Sequence, residues 1–242
     1  MSYLKRSLDF GLSQTCGQKW TAPRIDHTQA NILSHIDEIE AATRLAERNV
    51  APADLPSIIP AGERLTFSPS SIDGAIRGAV VRSTPINHLL QFLQTFAQSK
   101  QIDLSGLRAG ILGSGFGASG VAFASQCREV VLFDIIGKYI NAAKLIYNKF
   151  GITNAEFRHE DFVNADLSDI DILYIYAPFF TDCQYLISNT LGKMPEGTIV
   201  ISRDTPWDGV VIGSKNYARL YPETPKEFTL AEFTAVVRIK SS

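Results

Sequence analysis

Between Ala109 and Asp134 the chain reads AGILGSGFGASGVAFASQCREVVLFD: an apolar run, a turn with glycine at 113, 115 and 117, a helix-forming stretch, and a second apolar run that ends on an acid. Glycines after a strand let the backbone turn sharply and let a ligand approach closer than a Cβ permits. A helix that starts at such a turn aims backbone N–H groups and the positive end of its dipole at an anion. An acid closing the next strand accepts hydrogen bonds from a ribose diol. In this order, these residue types suit an adenosine-bearing ligand with an anionic end, either a dinucleotide pyrophosphate or the carboxylate of a methionine moiety.

Spacing separates the two. Gly115-Phe116-Gly117-Ala118-Ser119-Gly120 matches the dinucleotide fingerprint, but Asp134 then lies only 14 residues past Gly120, fewer than that fold spends on its first helix. In the other register, Gly113-Ser114-Gly115-Phe116-Gly117, Asp134 lies 17 residues past Gly117. That register resembles the donor turn of the class I (seven-stranded, Rossmann-like) S-adenosylmethionine-dependent methyltransferases, and the resemblance extends over Arg82–Lys240. It implies that Gly113, Ser114, Gly115, Gly117, Asp134 and the adjoining Ile135 bind S-adenosylmethionine, with S-adenosylhomocysteine as product. It also implies that Asp161, after the third strand, meets the adenine amino group and that Phe162 offers backbone and a ring edge to the base.

By the same resemblance, Asp171–Phe180 is the fourth strand and the loop that faces the transferring methyl. Tyr176 and Phe179 are the catalytic candidates there, Tyr176 also touching the donor, and Tyr174 and Phe180 are further aromatic candidates. No His or Lys lies in a motif that marks a general base, although His159 adjoins Asp161. The chain departs from the family twice. Ile111 stands where an acid usually precedes the first glycine by two positions, and the loop has Tyr176-Ala177-Pro178-Phe179, with a single proline. Weaker similarity to non-SET protein-lysine methyltransferases rests on the acid-phenylalanine pair and the Met194-Pro-Glu-Gly197 turn. Nicotianamine-synthase-type aminocarboxypropyl transferases share a GSG turn and an FDI segment. A non-catalytic protein that retains the fold is a third reading.

The elements that must position these residues read as follows. After Gly106, apolar runs at Arg108–Leu112, Val130–Phe133, Glu156–Arg158, Ile170–Tyr176 and Thr198–Ser202 alternate with helical candidates at Ser119–Gln126, Lys138–Phe150 and Cys183–Leu191, as in a parallel sheet with helical crossovers. Tyr217–Leu220 and Phe233–Ile239 read as a closing antiparallel pair. Upstream, Asp26–Asn49 has an amphipathic helical pattern through Ile32, Ile36, Ile39, Ala42, Leu45 and Ala46. Prolines at 52, 56, 60 and 69 then break all periodicity. A further helix starts at Thr84 as N-cap with Pro85 at its first position, burying Ile86, Leu89, Leu90, Leu93, Phe96 and Ala97. In several relatives such a Thr-Pro element approaches the donor.

The expected fold is α/β: a doubly wound, mostly parallel seven-stranded sheet with an N-terminal helical extension. Residues 1–80 form the extension, capping the site, and 81–242 the S-adenosylmethionine-binding domain. The chain has 242 residues, 45% hydrophobic, with 23 basic and 25 acidic side chains and no basic stripe for a nucleic acid backbone. Cys16, Cys127 and Cys183 are isolated, which fits neither a disulfide framework nor a metal site. No 18-residue apolar run and no signal-peptide pattern occur. A cytoplasmic enzyme with a small-molecule or protein acceptor is expected, with no nucleic acid or membrane partner; the amphipathic helix could instead support a homodimer.

Overall fold

The computed structural model describes residues 27–49, 85–162, 164–176, 194–203, 211–212, 215–219 and 233–238. Five parallel strands form the body of the sheet: β1 (Arg108–Leu112), β2 (Glu129–Asp134), β3 (Ala155–His159), β4 (Ile172–Tyr176) and β5 (Ile199–Arg203). Three more join it among the described residues: β6 (Val211–Ile212), β7 (Lys215–Arg219) and β8 (Phe233–Arg238), in the spatial order β3-β2-β1-β4-β5-β8-β7-β6. β8 runs antiparallel to both β5 and β7. The two-residue β6, paired to β7, is a strand the sequence pattern does not announce, because a run that short carries no periodicity.

The central strands read as continuous apolar runs because both faces of the sheet are covered. Alternate residues serve opposite sides. Ile111, Val130, Leu132, Tyr174 and Ile201 face one apolar cluster with the helices; Leu112, Val131, Phe133, Leu173 and Val200 face another with Ala165, Leu167, Ile170 and Met194.

Among the described residues the helices on the first face are α1 (His27–Ser34), α2 (Ile36–Asn49), α3 (Ile86–Lys100), α4 (Ala118–Ala124) and α5 (Gly137–Lys149). The single helix expected over Asp26–Asn49 is two. At the break, Ser34 Oγ donates to Asn31 O and the His35 ring also bonds that carbonyl, so side chains compete for the acceptor the next turn would use. Ile32, Ile36 and Ile39 are buried as the pattern predicts, but the stripe continues to Thr43, and Leu45 is 60% exposed. Spacing explains this: 32, 36, 39 and 43 follow four-three-four steps that skip 45.

Pro85, expected at the first helical position of α3, takes the N-cap place instead; Thr84 lies outside the described residues. Proline offers no side-chain cap, and the Ile86 N–H finds its acceptor in the Glu40 carboxylate of α2, at 3.1 Å. The buried stripe of α3 includes Phe92, whose ring meets Phe233 of β8 and Phe96, while Ala97 is half-buried. At the amino edge of the sheet, Arg108 ties β1 to β2, β3 and the segment before β4: its N–H bonds Asp171, and its guanidinium reaches Glu129, Glu156 and Asp169. The helix expected at Cys183–Leu191 lies outside the described residues.

Candidate functional site

β1, β2, β3 and β4 are parallel neighbours, so their carboxyl ends share one edge. That edge carries the glycine turn after β1, Asp134 at the end of β2, Asp161 just past β3 and Tyr176 at the end of β4. The sheet order reverses between β1 and β4, which is where open α/β sheets leave a crevice for ligands.

Gly113, Gly115 and Gly117 all have positive φ, at 65°, 53° and 87°. Each therefore holds a backbone conformation that a side chain would strain. Around Gly113 and Gly115 a Cβ would meet nothing within 4 Å, so the turn presents bare backbone to open space. Gly117 and Gly120 differ, because they admit Tyr147 of α5. The Tyr147 hydroxyl donates to Gly117 O at 2.8 Å, and a Cβ on Gly120 would lie 2.5 Å from that hydroxyl oxygen and 3.0 Å from Leu132. Gly120 is a packing glycine.

Not all amides of the turn point outward. Ser114 N–H bonds Phe133 O, Gly117 N–H bonds Ser114 O, and Gly115 N–H donates to Asp134 Oδ2 at 2.7 Å. The expectation that the turn offers its amides to an anion is thus changed at these three positions. Oδ1 of Asp134 accepts from Ile136 N–H at 2.8 Å, so one carboxylate clasps the glycine turn to the loop after β2. Asp134 is 6% exposed. Burial raises its pKa to about 6, against the lowering pull of the two N–H donors and of His159. A carboxylate has about four acceptor positions, so two remain for a diol.

Ile135 is half-buried, and its carbonyl accepts from His159 Nε2–H at 3.0 Å. His159 therefore braces the loop that Asp134 also holds, and Gly137 leaves room for its ring, which a Cβ would meet at 3.0 Å. Asp161 and Phe162 form a turn in which Asp161 O accepts from Asn164 N–H and Phe162 O from Ala165 N–H. Phe162 packs against the second apolar cluster, so part of its ring serves the core. Tyr174 is in the core, its ring 5.7 Å from that of Phe123, on the helix side of the sheet. Tyr176 ends β4 beside Arg203 of β5; Phe179 and Phe180 lie outside the described residues. Ile111 is 1% exposed in the apolar cluster, where an acid would have been buried among hydrocarbon.

Five parallel strands, an antiparallel β8 between β5 and β7, a left-handed glycine turn on β1 and an acid closing β2 define the architecture. The fold is the class I methyltransferase fold. No family model and no curated protein matches the sequence. Among solved structures, the chain is similar to an RNA methyltransferase from Salinibacter ruber in complex with S-adenosyl-L-homocysteine, at 18% identity and TM-score 0.49, covering 66% of this chain and 95% of that one. An rRNA methylase from Streptococcus thermophilus aligns at 14% identity and TM-score 0.40, over 65% and 94% of the two chains. The YcgJ protein of Bacillus subtilis aligns at 18% identity and TM-score 0.41, over 48% of this chain and only 50% of that one.

Sequence reasoning misses two aromatic residues at this edge. The rings of Phe116, in the turn, and Tyr139, in the first turn of α5, pack 4.5 Å apart, with Ile136, Ala142 and Ala46 of α2 around them. Tyr139 is 2% exposed, and burial together with the Asp134 and Glu47 carboxylates pushes its pKa up to about 12. Its place one turn into a helix was legible; its burial depends on α2, about ninety residues upstream. Among the described residues no group of His, Cys, Asp and Glu is placed to hold a metal, and no helix is long and apolar enough to cross a membrane.

Proposed function

We propose that the chain is a methyltransferase that binds S-adenosylmethionine over the carboxyl ends of β1–β4 and transfers its methyl to an amine or another nucleophile of a protein or small molecule. One observation carries the reading: the left-handed backbone at Gly113 and Gly115, open where a Cβ would stand and clasped at Gly115 by an acid at the end of β2. Bare backbone beside open space suits a ligand that must lie closer than a Cβ allows. The two free acceptor positions of Asp134 suit a ribose diol.

In this reading Gly113, Ser114, Gly115 and Gly117 flank the methionine and ribose, Asp134 takes the ribose hydroxyls, and Ile135, Asp161 and Phe162 hold the adenine. Tyr176, the last residue of β4, and Phe179, three residues on in the sequence, are proposed to meet the acceptor on the strength of the resemblance alone. When bound, S-adenosylmethionine supplies a methyl on a positively charged sulfur and leaves as S-adenosylhomocysteine. The protein's part is to align the acceptor's lone pair behind that methyl and exclude water. No side chain among the described residues stands out as a base, so the acceptor arrives deprotonated or gives its proton to solvent.

Balanced charge supports a protein or small-molecule acceptor, and the isolated cysteines support a cytoplasmic site of action. Residues 1–80 are proposed to cap the site over the domain of residues 81–242. The test is transfer of labelled methyl from the donor to amines, amine-rich protein and RNA offered side by side, with the nucleoside by-product identified. S-adenosylhomocysteine is expected; methylthioadenosine would mark aminocarboxypropyl transfer instead, and neither product would mark a non-catalytic relative.

A further inference from the structure

Tyr139 has a feature that packing does not explain. Its neighbours Phe116, Ile136, Ala142 and Ala46 are apolar, and its hydroxyl is buried with no hydrogen-bond partner among the described residues. Phenylalanine would fill the same space and leave nothing unpaired. Buried hydroxyls are nearly always bonded, so one that is not marks a group awaiting a partner. Ser114, 8% exposed and inside the glycine turn, has a second such hydroxyl. The two lie on segments joined by Phe116, which follows Ser114 by two residues and stacks on Tyr139.

Position identifies the partner. Tyr139 lies five residues past Asp134, in the first turn of α5, and packs against Ile136, whose N–H is held by Asp134. It thus packs beneath the loop after β2 that is assigned above to the nucleoside, on a different strand end from β4. Burial, with the nearby Asp134 and Glu47 carboxylates, keeps the phenol protonated, so the hydroxyl has a proton to donate. Ring nitrogens of a purine and ribose oxygens are acceptors of the matching kind.

We infer that the Tyr139 hydroxyl is a specificity-determining group that donates a hydrogen bond to the nucleoside part of the bound ligand. The inference rests on the donor-site reading and adds to it a contact that neither the glycine turn nor Asp134 supplies. Because Ala46 packs on the same ring, α2 forms one wall of this subsite.

The test uses the full-length chain and its Tyr139→Phe variant, each titrated calorimetrically with S-adenosylhomocysteine and melted without ligand. The variant is expected to bind about tenfold more weakly while its ligand-free melting midpoint stays level or rises, since it removes an unpaired buried hydroxyl. Unchanged affinity overturns the inference. So does a variant whose affinity and ligand-free midpoint fall together, the pattern of a residue that only supports the fold. Failure of the unmodified chain to bind is a separate result: it overturns the donor-site reading itself, and this inference with it.

Discussion

At the residue scale Asp134 does two opposed things, and pH separates them. Its pKa is raised to about 6 in the folded protein, above the ordinary aspartate value near 3.8. The folded state therefore binds this proton more tightly than the unfolded state, and the contribution to stability falls as pH rises from about 4 to 6. Ligand binding has the reverse sign if the ribose hydroxyls donate to the ionised carboxylate. Melting midpoints of the unmodified protein should rise relative to Asp134→Asn as pH is lowered from 7 to 5. Over the same range the affinity for S-adenosylhomocysteine should weaken about tenfold, the fraction ionised one unit below a pKa of about 6. The glycines divide in a similar way. Gly120→Ala drives a Cβ to 2.5 Å from the Tyr147 hydroxyl oxygen and should cost about 1–3 kcal/mol in denaturant unfolding. Gly115→Ala meets no atom but has φ of 53°, so it should cost about 1–2 kcal/mol, with a further loss in ligand affinity that Gly120→Ala does not show.

At the scale of elements, the docking of α2 is carried in part by one carboxylate. Glu40 accepts from the Ile86 N–H that Pro85 leaves without a side-chain cap, so Glu40→Ala should destabilise by about 1 kcal/mol and Glu40→Gln by less, measured as a shift in denaturation midpoint. Most elements were legible because their signals are local. β1, β2 and β4 are apolar runs bounded by turns, and the stripe of α3 repeats at three and four. What escaped depends on distant chain. The break at His35 arises where side chains compete for Asn31 O while the Asn31 amide bonds Phe150 O, far along the sequence. Pro85 moved to the cap place because Glu40 supplies the missing acceptor. Tyr174 is one of four aromatic candidates of which only about half can face a ligand, and its ring lies on the helix side with Phe123. The turn amides read as open to an anion, yet Asp134, Phe133 and Ser114 hold three of them.

At the scale of the whole molecule, parallel pairing turns residues spread from Gly113 to Tyr176 into one edge, and the helices of residues 27–49 join the same core as the sheet. A ligand seated on that edge would bridge the glycine turn, the loop after β2 and the end of β3, and should raise global stability. At a concentration one hundred times its Kd the gain is about 2.7 kcal/mol, visible as a shift of several degrees in the melting midpoint. The most direct test of the account is calorimetric titration of the intact chain and of Asp134→Ala with S-adenosylhomocysteine, with NAD as control. One-to-one binding of S-adenosylhomocysteine, none of NAD, and loss of most of the binding in the variant are expected. No heat at millimolar S-adenosylhomocysteine, or equal affinity in Asp134→Ala, would contradict the account.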